Sequence, residues 1–133
     1  LINMGSDESL GQIEVEQFAG DVTVANSNVE YLSIDQRYGD IDIANTLFDR
    51  GDLKTGVGNI SIQFKREDSV RLTAKTRLRE ISLIGIANGD PGVTALMDTT
   101  WPGQELELQQ WDGDARISIE TGIGEILLEF IEP

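Results

Sequence analysis

Apolar and polar residues alternate with a period of two through most of the chain, as in Val22-Thr23-Val24, Ile41-Asp42-Ile43, Ile60-Ser61-Ile62 and Val70-Arg71-Leu72-Thr73-Ala74. Successive side chains of a strand point to opposite faces, so this alternation predicts short strands, each with one buried and one solvated face. No segment keeps the apolar rhythm of a helix. The chain reads as all-β.

The strands recur inside a fixed phrase: Gly, an acidic or amide residue, then apolar–polar–apolar. Copies start at Gly20, Gly39 and Gly58, 19 residues apart. A degenerate copy is Glu80-Ile81-Ser82-Leu83, and late copies begin at Gly113 and Gly124. Gly11-Gln12-Ile13-Glu14-Val15 opens the series half a period early. Between the phrases lies a second alternating segment (Leu32-Ser33-Ile34, then Leu53 after Gly51-Asp52), so each period is expected to hold two short strands and two turns. Gly supplies the positive φ of a tight corner, and the Asp or Asn beside it can hydrogen-bond turn backbone.

Fixed-period self-similarity of this length is the mark of a solenoid. The expected fold is a single-domain, right-handed parallel β-solenoid of roughly 19-residue coils, with an antiparallel β-sandwich as the alternative. Stacking predicts one core column of Val22, Ile41 and Ile60, and a second of Val24, Ile43 and Ile62. Residues 1–10 precede the repeat and read as a linker remnant. Residues 85–104, rich in Gly, Asn, Asp and Pro, read as a loop excursion covering an open end of the core.

Composition narrows the chemistry. The 133 residues contain no Cys and no His, so thiol nucleophiles, disulfides and the usual general base and zinc ligand are absent. A net charge of −14 opposes nucleic-acid phosphates over most of the surface. No apolar run approaches the ~18 residues needed to span a bilayer, so membrane attachment would need an anchor outside this sequence.

Thr55-Gly56-Val57-Gly58-Asn59-Ile60 and Thr121-Gly122-Ile123-Gly124-Glu125-Ile126 share a T-G-[VI]-G-[acid/amide]-I core. With the Gly-Asp-Ile repeats, this core resembles a bacterial domain of unknown function described as an adhesin. It also resembles the related toast-rack domain of cell-wall-antibiotic-response proteins. The resemblance spans roughly residues 11–84 and 105–130. It implies a non-enzymatic, β-solenoid-like domain at a bacterial cell envelope, or outside the cell, beside a membrane anchor.

Three features are candidates for chemistry. Asp21, Asp40 and Asn59 would form a ladder if the coils stack, either binding calcium or each capping its own turn; the turn-cap reading is preferred, so no metal or other cofactor is expected. Six of the ten cationic residues fall between 65 and 79. Among them Arg71, Lys75, Arg77 and Arg79 alternate onto one outward face. They either pair with acidic neighbours such as Asp42, Glu105 or Glu107, or form a patch for an anionic partner. Trp101, in a Thr-Trp-Pro-Gly loop, either stacks on a sugar ring or partner or plugs an end of the core, and Trp111 packs at a corner.

The function expected is therefore a non-enzymatic surface module, with an unidentified protein or envelope polymer as partner and no nucleic acid. A scaffold that self-assembles through its coil ends is the alternative, and a carbohydrate-active enzyme relying on paired carboxylates is less favoured.

Overall fold

The computed structural model describes residues 2–5, 9–25, 28–44, 46–65, 69–86, 90, 92–98 and 103–131. In chain order the strands are β1 (Ile2–Gly5), β2 (Ser9–Ala19), β3 (Val22–Ala25), β4 (Asn28–Tyr38), β5 (Ile41–Ala44), β6 (Leu47–Val57) and β7 (Ile60–Lys65). They continue with β8 (Val70–Thr76), β9 (Ile81–Ile84), β10 (Val93–Asp98), β11 (Gln104–Gln110), β12 (Ala115–Ile123) and β13 (Ile126–Ile131). No helix occurs among the described residues.

Two sheets enclose the core. The six-stranded sheet runs β1-β3-β5-β7-β13-β9, and all its pairs are parallel. The seven-stranded sheet runs β10-β11-β8-β12-β6-β4-β2. Its pairs are parallel from β2 to β8, and only β10–β11 and β11–β8 are antiparallel.

The expected columns form: Val22 pairs with Ile41 and Ile41 with Ile60, while Val24, Ile43 and Ile62 pair likewise. All six are buried. A coil is one long strand, a glycine corner and one shorter strand. The corners are Gly20-Asp21, Gly39-Asp40, Gly58-Asn59 and Gly124-Glu125.

Four expectations need correction. The first segment of a coil is not short, since β2, β4 and β6 each have 11 residues. Gly51-Asp52 looks like a turn in sequence, yet Gly51 is paired on both sides, with Leu32 and Ile117, and is buried. Gly11 sits within β2 and so belongs to the long-strand series rather than to a corner. Residues 1–10 contribute β1 and the start of β2, and β1 pairs with β3 through Ile2↔Val22 and Met4↔Val24.

Within 85–104, residues 93–98 form β10, which leaves the coil as the outermost strand of the larger sheet. Its alternate residues Val93 and Ala95 pack against the core.

The order of the last coil is not the chain order. β12 lies between β6 and β8, and β13 between β7 and β9. The final coil of this sequence is thus inserted between the third and fourth rather than added at an end. Phe130 pairs with Phe64, their rings stacking at 5.0 Å between centroids.

Candidate functional site

Every corner is built by contact between coils. Gly39 has φ 130°, and a Cβ there would overlap the carbonyl oxygen of Gly20. The backbone of one coil therefore lies directly on the next. Asp21 Oδ1 accepts a hydrogen bond from Asp40 N–H at 2.9 Å, Asp40 Oδ1 from Asn59 N–H at 2.8 Å, and Asn59 Oδ1 from Glu125 N–H at 2.9 Å. The acidic ladder thus caps the turn of the neighbouring coil, not its own. Among the described residues no cluster of acidic side chains is arranged to hold a metal ion.

A second column explains the T-G-[VI]-G core. Thr55, Thr121 and Thr76 are buried in register on successive strands. Their hydroxyls donate to the carbonyls of Gly39, Gly58 and Gly124 at 2.9, 2.8 and 2.8 Å. Each threonine satisfies a corner carbonyl that the inward-facing packing would otherwise leave to find another partner.

The opposite alternation of these strands gives the outer face of the larger sheet, and here charge is organised in rows across the strands. One row reads Glu16, Asp35, Lys54, Glu120, Lys75, Glu105, Asp98, with the sign alternating at every step from Asp35 to Glu105. Lys75 lies between Glu120 and Glu105, and Arg77 Nη2 reaches Glu120 Oε1 at 3.9 Å. Exposed pairs of this kind contribute a few tenths of a kcal/mol each.

Four residues along each strand, a different row reads Tyr31, Arg50, Arg116, Arg71, Gln109. Three arginines stand side by side on β6, β12 and β8, at the ~4.8 Å spacing of adjacent strands. All three are exposed. None has a carboxylate within ion-pair distance among the described residues; Arg71 Nη2 instead donates to Gln109 Oε1 at 2.9 Å. Like charges directly opposite one another destabilise a sheet, here by roughly 1 kcal/mol or less per neighbour in water. Tyr31, the three arginines, Asp52 and Thr73 line an open depression of about 410 Å³.

The cationic strand expected from sequence is therefore divided. Arg71 and Lys75 do share the outward face of β8, but β8 ends at Thr76. Arg77 and Arg79 are exposed in the bend that follows. Of the expected acidic partners, Glu105 faces Lys75, Glu107 faces Thr73, and Asp42 lies on β5 in the other sheet. Trp101 lies outside the described residues. Trp111 stands in the turn after β11, half exposed, with its indole over Gly92.

Arg50 and Arg116 escape a reading along the chain because they join Arg71 only through the inserted coil. A signal for them exists all the same: each of the three arginines lies five residues before the buried threonine of its own coil, at 55, 121 and 76.

A family model described as Toastrack DUF4097 matches residues 3–83, more than half of the chain. The chain belongs to the Toastrack family. The match covers the first three glycine corners, whereas the fourth Toastrack-like corner, Gly124-Glu125, follows it in sequence yet sits inside the same stack. Arg50 and Arg71 fall within the Toastrack match and Arg116 outside it. No match is found among the curated proteins or among the solved structures.

Proposed function

We propose that this Toastrack chain is a non-enzymatic recognition module of the bacterial cell envelope, serving adhesion or envelope-stress sensing. Its working surface is the outer face of the seven-stranded sheet. One observation carries the reading: on a face where a second row alternates in sign from Asp35 to Glu105, one row holds three adjacent arginines with no carboxylate at ion-pair distance among the described residues. Such a row costs folding stability, and a partner of opposite sign removes that cost. The envelope setting comes from the resemblance of the repeat to envelope-associated domains. A right-handed winding of the coils agrees with the hand that nearly all parallel crossover connections take.

The partner class that fits is an anionic envelope polymer lying flat on the sheet. The purified chain should co-sediment with insoluble bacterial wall polymer at low salt and be released at high salt. Replacing Arg71 by Glu should abolish retention while leaving the melting temperature nearly unchanged. Retention that is absent from the start, or release of new sugar ends from the polymer, would overturn the reading.

A further inference from the structure

We infer that the Arg50–Arg116–Arg71 row is a binding track for a linear polyanion whose charges are phosphates. This rests on the proposal that the outer face of the larger sheet is a recognition surface, and it names the ligand chemistry of that surface.

The geometry supplies the shape of the ligand. The Cα positions of the three arginines lie in one row across β6, β12 and β8, spanning two strand spacings or about 10 Å. An isolated small anion can bridge two neighbours of such a line at most. Engaging all three requires negative groups repeated along a chain that crosses the strands. Because the pairing is parallel and in register, the three arginines start from matching positions on the strands, so a straight ligand crossing the strands can meet each in turn.

The side-chain type supplies the ligand's charge. A guanidinium presents a planar fork of donors that matches a phosphate edge with two parallel hydrogen bonds, and it stays charged at every accessible pH. The row contains arginine at all three places, while the row four residues along the strands, which pairs within the protein, uses lysine at both of its cationic places, 54 and 75. Two neutral residues close the ends. Gln109 accepts from Arg71 Nη2 and so orients that guanidinium, and Tyr31 borders the depression beside Arg50. A chain bearing 24 acidic residues places none of them in this row, and Asp52 is the one carboxylate that lines the depression around it.

The test compares tripolyphosphate with polygalacturonate, a polymer of carboxylates, by isothermal titration calorimetry at low salt. The wild-type chain should bind tripolyphosphate measurably and more tightly than polygalacturonate. Arg116→Gln, which removes the middle of the row, should weaken tripolyphosphate binding about tenfold or more. Arg79→Gln, an exposed cation off the row, should leave it unchanged.

A second measurement keeps the outcome independent of folding. Without ligand, Arg116→Gln should hold or raise the melting temperature, by roughly 1–4 °C, because it relieves like-charge neighbours. A fall in melting temperature would show that the row is structural and overturn the inference. So would tripolyphosphate binding that Arg116→Gln does not weaken, or equal affinity for polygalacturonate. Equal affinity would still leave the wider recognition role standing. Conversely, tripolyphosphate binding that depends on Arg116, with no retention on wall polymer, would sink the envelope role and sustain this one.

Discussion

At Gly39 two constraints act on one residue. Its φ of 130° lies where side chains are rarely tolerated, and a Cβ would overlap the carbonyl oxygen of the coil beside it. Replacing Gly39 by Val therefore adds backbone strain of about 1–3 kcal/mol and a steric term of similar size. We expect chemical denaturation to show a loss of about 3 kcal/mol or more, and a loss under about 1 kcal/mol would mean that the coils can separate freely at the corner. The threonines act at the same scale. Glycine and threonine of the T-G-[VI]-G core are visible in sequence as a recurring phrase, but their bond is not, because Thr121 donates to Gly58 of another coil, 63 residues away.

The coil is the next scale, and the inserted coil is its main lesson. Ile126 is fully buried between Ile60 of β7 and Ile81 of β9. It is an interior residue although it lies near the end of the sequence. Ile126→Ala should cost about 2–5 kcal/mol, as a buried Ile-to-Ala change does where neighbours cannot collapse into the space. The matching change at Ile60, flanked by Ile41 and Ile126, should cost about the same. A melt in which Ile126→Ala loses far less than Ile60→Ala would contradict a coil wedged inside the stack. Strand existence was legible from the alternation and the glycine corners. The insertion was not, since nothing in the phrase Gly-Glu-Ile tells one neighbour from another: the late coil carries the same corner and the same buried columns as the early ones.

Across the whole molecule, two electrostatic effects compete. The alternating row from Asp35 to Glu105 contributes a few tenths of a kcal/mol per pair, and salt weakens it. The net charge of −14 repels itself over the entire surface, and the Asp21–Asp40 ladder and the arginine row add local repulsion that salt relieves. Three sources of repulsion outweigh one row of exposed pairs. Calorimetric melting should therefore occur at a higher temperature in about 200 mM NaCl than in about 10 mM NaCl, where the screening length is several-fold longer. A lower melting temperature in salt would mean that attractive rows dominate. The whole-molecule scale is also where the candidate site arises: Arg50, Arg71 and Arg116 are separated by 21 and 45 residues and meet only across three strands.

Local rules decided much of this protein from sequence alone. Period-2 alternation specifies strands because side chains of a pleated backbone must alternate, and the repeated Gly-Asp phrase specifies corners because only glycine tolerates both the conformation and the contact found there. Equal spacing then placed Val22, Ile41 and Ile60 in one column, as the register shows. Tertiary structure alone decided which coil stacks on which. Parallel pairing joins backbone groups that are chemically identical at every coil, so the pairing energy scarcely distinguishes one order from another. The choice falls to packing, such as Phe64 on Phe130, and to the long excursion through β10 and β11 that returns the chain into the stack. The arginine row follows from that choice: without β12 between β6 and β8, Arg116 would not stand between Arg50 and Arg71.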